Sequence, residues 1–310
     1  MRPDFAVVLF LVLAQAVYAG EPVKDAPATP AKPAVASTPY KCPLLVRARL
    51  DMEMDESGRI TVPVAFNGVT KQIMLDTGAA QSMISAHTVK ELDLKPRQAS
   101  RSDSLVGFGG TVFDQIVDIA EFGIGSMKGK DYRFVVDTTG MEAAGLLGGD
   151  FLYYFDLDLD FANAKLRLIS PDHCPGVDVY WTKQGYGQIP FEFVENQIQV
   201  TVQLDGKDVV AILDTGSVDT VMSLERASRA FDIDRSALAK SRHYPFKTLS
   251  IGAVSVNAPS IELMPDRESG LMGKYESTLN MIIGMGVLRR LHLYVAYKEK
   301  MIYVTPATQY

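Results

Sequence analysis

Ile73-Met74-Leu75-Asp76-Thr77-Gly78-Ala79 returns later in the chain as Ala211-Ile212-Leu213-Asp214-Thr215-Gly216-Ser217. The offset is 138 residues: Asp76 falls on Asp214, Leu75 on Leu213 and Ser85 on Ser223. The segments just upstream keep the same offset without a gap. Arg59-Ile60-Thr61-Val62-Pro63-Val64-Ala65-Phe66 places apolar residues at every second position and ends at Asn67-Gly68. Gln197-Ile198-Gln199-Val200-Thr201-Val202-Gln203-Leu204 does the same before Asp205-Gly206. Period-two alternation followed by Asn-Gly or Asp-Gly reads as a strand entering a tight hairpin. A repeat of this length means two homologous lobes rather than a solenoid.

Each half then continues in one order. A short helical pattern follows the triplet, over 82–92 and again over 220–231. Next come strand-rich stretches holding Ile124-Gly125 and Ile251-Gly252. An apolar pair precedes glycine in Leu146-Leu147-Gly148 and in Ile282-Ile283-Gly284. A hairpin closes each half, over 155–168 and 291–304. Many short strands with Gly and Asn turns predict a mainly β fold.

The 310 residues allow two lobes of about 130 residues, each able to bury a core. A net charge of −6 argues against nucleic acid, whose phosphates call for a basic face. Residues 1–19 carry Arg2, a short apolar run from Phe5 to Leu13 and small residues up to Ala19, which predicts a cleaved secretory signal peptide. The run is short for a membrane span, so a membrane tether arises only if this segment stays uncleaved. A secreted or periplasmic location follows from that reading. Residues 20–43 are rich in Pro and Ala and read as a linker. Lobe one is then expected over 44–172, a connection over 173–190 and lobe two over 191–305. The two cysteines, Cys42 and Cys174, bracket the first lobe, and a secretion signal permits a disulfide between them; two unrelated buried thiols is the alternative.

An Asp placed after an apolar run enters a buried region, where a lone charge is costly. Gly78 and Gly216 let the backbone turn so that amides point at the carboxylates. Thr77 and Thr215 offer hydroxyls that can bond across a lobe interface. If the lobes pack about a pseudo-twofold axis, the two loops meet. Two carboxylates about 3 Å apart share one proton, so one serves as general base and the other as general acid. With these residues the sequence resembles the retropepsin/pepsin clan of aspartic proteases. The carrying motifs are Asp76-Thr77-Gly78-Ala79 with Leu146-Leu147-Gly148, and Asp214-Thr215-Gly216-Ser217 with Ile282-Ile283-Gly284. Lobe one is most similar to bacterial retropepsin-like domains, through Gly145-Leu146-Leu147-Gly148-Gly149-Asp150-Phe151-Leu152; lobe two departs with Met285-Gly286. The resemblance implies two retropepsin-like acid-protease lobes with an active-site cleft between them. It also implies that Leu147-Gly148 and Ile283-Gly284 thread beneath the Asp loops and brace them.

Spacing adds an asymmetry. Asp76 to Gly125 spans 49 residues and Asp214 to Gly252 spans 38, so lobe two lacks 11. The extra stretch holds Gly107-Phe108-Gly109-Gly110, where the resemblance implies a flap over the substrate. One flap is expected, from lobe one. Lobe two gains residues further on, near 265–275. Ala79 stands where lobe two has Ser217, which predicts one fewer hydrogen bond to the lobe-one carboxylate and an upward shift of the acidic optimum.

Other features carry less. The glycines at 107, 109 and 110 lack dinucleotide-loop spacing. Asp156, Asp158 and Asp160 alternate with apolar residues and read as one solvated strand face rather than a calcium site. The four His are scattered without ligand spacing, so neither a metal nor a cofactor is expected. The reading is an aspartic endopeptidase acting on polypeptide substrate, a monomer whose lobes form an intramolecular pseudo-dimer. A silent peptide-binding module using the same cleft, and pairing of Asp loops between chains, are the alternatives.

Overall fold

The computed structural model describes residues 43–308, apart from 57, 101–104, 107–110, 175–178, 235–241 and 267–279. Within the unit from residue 42 onward, the fold is mainly β, in two lobes built on the same plan. In lobe one, Ile60–Phe66 turns at Asn67-Gly68 and pairs antiparallel with Val69–Leu75. Its counterpart is Gln197–Leu204 paired with Lys207–Leu213 through Asp205-Gly206. Alternation does what the pattern implies: Ile60, Val62, Val64 and Phe66 are buried, as are Ile198, Val200, Val202 and Leu204.

The expected helices are shorter than the periodic stretches. Met83–Ser85 and Thr220–Ser223 are strands, and the helices run only over Ala86–Glu91 and Leu224–Phe231. The reason lies in pairing and capping. Met83 and Ile84 pair in parallel with Val135 and Val136, and Val221 and Met222 with Glu262 and Leu263. Ser85 and Ser223 then cap the helices, each hydroxyl accepting the amide three residues on.

The lobes differ where the spacing differed. Lobe one extends a long hairpin, Gln115–Ile124 with Met127–Asp137, and adds a small sheet of Leu105–Val106 with Val112–Phe113. Gly107, Phe108, Gly109 and Gly110, the expected flap tip, lie outside the described residues. Lobe two has the shorter Thr248–Ile251 and Val254–Asn257. The lobe-two insertion near 265–275 lies almost wholly outside the described residues.

Beneath both lobes the chain forms one continuous sheet. Its strand order is Val46–Asp51, Lys165–Ile169, Asp156–Asp160, Leu291–Ala296, Met301–Pro306 and Gly187–Val194. Asp156–Asp160 and Leu291–Ala296 meet at its centre, so the lobes are joined by backbone hydrogen bonds.

This sheet corrects one expectation. Asp156, Asp158 and Asp160 do not form a solvated face; all three are buried. Alternation alone cannot tell a wet face from one covered by other residues, and here His173 and Tyr180 lie against it. The carboxylates are satisfied there. His173 Nε2 lies 2.6 Å from Asp156 Oδ2, and the Tyr297 amide donates to Asp156 Oδ1 at 3.0 Å. Asp158 meets His292 Nε2 at 2.6 Å and Arg167 Nη1 at 2.8 Å, and accepts the Tyr180 hydroxyl. Trp181 stacks on His292 at 4.3 Å between ring centres. No group of His, Cys, Asp and Glu among the described residues has metal-site geometry.

Candidate active site

Asp76 and Asp214 each follow the end of a buried strand, Val69–Leu75 and Lys207–Leu213. The Gly145–Leu147 and Met281–Ile283 strands run parallel beside them. The Asp76 amide donates to Leu147 O at 3.0 Å, and the Asp214 amide to Ile283 O at 3.0 Å. The loops then fold over the next glycines. Gly149 N–H donates to Ala79 O at 2.8 Å, and Met285 N–H to Ser217 O at 2.8 Å. Leu147, Gly148, Ile283 and Gly284 thus sit directly beneath the two Asp loops.

The loops meet across the lobe interface. Thr77 Oγ1 donates to Leu213 O at 2.7 Å and accepts from the Thr215 amide at 3.1 Å. Thr215 Oγ1 donates to Leu75 O at 2.7 Å and accepts from the Thr77 amide at 3.1 Å. Four matched bonds, all buried, lock the loops face to face. Each glycine of the triplets makes room for the opposite carboxylate. A Cβ on Gly78 would fall 2.3 Å from Asp214 Cγ, and a Cβ on Gly216 2.3 Å from Asp76 Cγ.

Asp76 Oδ1 accepts the Gly78 and Ala79 amides at 3.0 and 2.9 Å. Asp214 Oδ1 accepts the Gly216 and Ser217 amides at 2.8 and 3.1 Å. The two carboxyls face each other across the triplet glycines. Each is partly open to solvent at the junction of the lobes yet densely surrounded by protein. Burial, the largest cause, raises both above the ordinary carboxylate range, and the charge of Asp214 raises Asp76 further. The amide donors pull the other way. Both shifts favour protonation, so the pair keeps a proton to higher pH than an isolated carboxyl does.

The expected consequence of Ala79 facing Ser217 does not hold. Ser217 Oγ donates to Asp219 O at 2.8 Å and not to a carboxylate. The two carboxylates accept equivalent amide pairs, so the missing hydroxyl at 79 removes no bond from Asp76.

Several contributors were not read from the sequence. Ser82 Oγ accepts the Gly148 amide at 3.0 Å, and Thr220 Oγ1 accepts the Gly284 amide at 3.1 Å. Both hydroxyls stand at the same offset from their Asp, which could have revealed them. Asp150 accepts from the Ser82 amide at 2.8 Å and its hydroxyl at 2.7 Å. Lobe two has Gly286 there and no such acceptor. Of the expected disulfide, Cys42 lies outside the described residues, and no described cysteine is a free thiol.

Residues 62–154 match the family model described as "gag-polyprotein putative aspartyl protease". No curated protein matches the chain. Among solved structures, an aspartic proteinase from Irpex lacteus shares the fold at a TM-score of 0.52 and 12% identity, over 84% of this chain and 97% of that one. The fold and the paired Asp loops are those of an aspartic protease of the pepsin/retropepsin clan. The sequence match lies in lobe one, and the structural match spans both lobes.

Proposed function

We propose that the chain is an aspartic endopeptidase in which Asp76 and Asp214 activate water against a peptide bond. One observation carries this reading: two carboxyls of raised pKa, each seated in the space left by the other lobe's glycine and each held by two loop amides. The ionised partner takes a proton from water as it attacks the scissile carbonyl carbon. The protonated partner donates to the carbonyl oxygen, giving a tetrahedral diol. Proton return to the nitrogen releases the amine. Neither step needs a metal or cofactor. An extended peptide lies between the lobes and pairs in strand fashion with the two-stranded sheet of Leu105–Val106 and Val112–Phe113.

The finer reading places the protein outside the cytoplasm after removal of residues 1–19, with Cys42 bonded to Cys174. The absence of a free thiol among the described residues is consistent with that bond. Non-reducing mass mapping would test it, and recovery of two alkylated cysteines would refute it.

The test of function is peptide release from an unfolded protein at about pH 4–7. Wild type should release peptides, and a transition-state inhibitor such as pepstatin should stop it. Asp76→Asn and Asp214→Asn should each abolish release. Peptide binding without release would establish the silent-module alternative instead.

A further inference from the structure

The two Asp loops are matched in how they hold their carboxylates but not in how their own carbonyls are held. In lobe two, Gly286 N–H donates to Val218 O at 2.9 Å, a bond within the lobe. The equivalent lobe-one carbonyl, Ala80 O, instead accepts Asn196 Nδ2 at 3.0 Å, from the other lobe. Beside it, Gln197 Nε2 donates to Gly78 O, again across the lobes. Glu195 and Asn196 form the turn between Gly187–Val194 and Gln197–Leu204, and Gln197 opens the second strand. That turn is pressed onto the site: a Cβ on Gly149 would fall 1.8 Å from Asn196 O. The pseudo-equivalent turn of lobe one brings Gly58 against Val218, where a Cβ would meet a methyl at 3.8 Å.

The Gly78 carbonyl and the Ala79 amide belong to one rigid peptide unit. Gln197 holds its oxygen end, and its N–H end donates to Asp76 Oδ1 at 2.9 Å. A donor on the carbonyl orients the unit and polarises its N–H toward the carboxylate. We propose that Gln197, assisted by Asn196, is a cross-lobe positioning residue that sets the protonation of the catalytic pair through the Gly78–Ala79 peptide. Gln197 thereby tunes the lobe-one carboxylate without touching it. The inference rests on the protease reading only for its kinetic consequence; the hydrogen-bond relay stands on geometry.

The sign follows from the bonds. The Ala79 amide stabilises ionised Asp76, so loosening that peptide favours the protonated form. Removing the Gln197 amide should move the titration of the pair to higher pH.

The test is a carboxyl-carbon NMR titration of wild type, Gln197→Ala, Gln197→Arg and Asn196→Gly, with the pair's signals identified by their loss in Asp76→Asn and Asp214→Asn. This readout needs no activity, so a failed protease reading and a failed relay are told apart. Gln197→Ala should raise the titration by about half to one pH unit. Gln197→Arg restores a donor, with the residue type that Arg59 has at the matching position of lobe one, and should bring the titration back towards wild type. Asn196→Gly suits the left-handed backbone there, φ 64°, and should give a smaller shift of the same sign. In an active enzyme, the acid limb of kcat should move with the titration while KM changes by less than about twofold. An unchanged titration in folded Gln197→Ala, or equal shifts in the Ala and Arg variants, would overturn the proposal. Should Gln197→Ala fail to fold, Asn196→Gly decides by the same measurement.

Discussion

A methyl group on Gly78 would sit 2.3 Å from Asp214 Cγ, far inside any tolerable contact. Gly78 is therefore required by a residue 136 positions away, not by its own turn. Gly78→Ala should push the carboxyls apart and cut the peptidase rate by about 100-fold, as small misplacements of reacting groups do. A variant with wild-type kcat would show that the loops yield without disturbing the pair. Thr77 supports a second residue-level expectation. Its hydroxyl satisfies Leu213 O and the Thr215 amide, both buried. Thr77→Val keeps the shape and strands both partners, at a cost of about 2–4 kcal/mol in urea unfolding. Thr215→Val should cost the same, because its bonds mirror those of Thr77. A marked inequality would mean that one loop relaxes more readily than its twin.

At the scale of elements, the strand Asp156–Asp160 is the clearest departure from what the sequence allowed. Its alternation was visible, but its partners His173 and Tyr180 come from beyond the closing hairpin, 17 and 22 residues from the carboxylates they meet. The Asp158 carboxyl illustrates the balance. Burial opposes its charge, yet His292, Tyr180 and Arg167 outweigh burial and hold it below the ordinary range. A depressed folded value means stability that is present above the unfolded carboxylate value and lost as pH falls through the folded one. Acid unfolding should accordingly begin at this sheet. Asp158→Asn leaves the charge of Arg167 and the His292 ring without their acceptor and should cost about 3–5 kcal/mol at neutral pH. The loss should shrink as pH is lowered, which a series of urea melts across pH would read; a pH-independent loss would assign it to packing alone. Other elements were more legible. The hairpins turned at Asn67-Gly68 and Asp205-Gly206 because local turn chemistry suffices there. Helix starts were misplaced because Met83-Ile84 satisfies a helical period equally well as a buried strand. Asn196 and Gln197 left no trace, since their acceptors are main-chain carbonyls of the other lobe.

At the scale of the molecule, the internal repeat makes the site self-contained. Both Asp loops belong to one chain, and the sheet through Asp156–Asp160 and Leu291–Ala296 ties their lobes together. Such a tie keeps one loop at high effective concentration near the other, so a second chain has little to compete with. The loops are also no longer interchangeable. The Asp76 loop is held at Ala80 O and Gly78 O by the lobe-two side chains Asn196 and Gln197, whereas Val218 O is held within its own lobe. Two outcomes follow for a mixture of Asp76→Asn with Asp214→Asn, each inactive alone. If each chain builds its own pair, every molecule in the mixture carries one Asn and the mixture stays inactive at any concentration. If loops pair between chains, some assemblies unite the intact Asp214 of one variant with the intact Asp76 of the other, and activity returns as concentration rises. The covalent repeat predicts the first result, together with a wild-type rate strictly linear in enzyme concentration. Complementation by the mixture, or a rate that climbs faster than linearly, would place the working pair between two chains and make the interlobe sheet a scaffold for assembly instead.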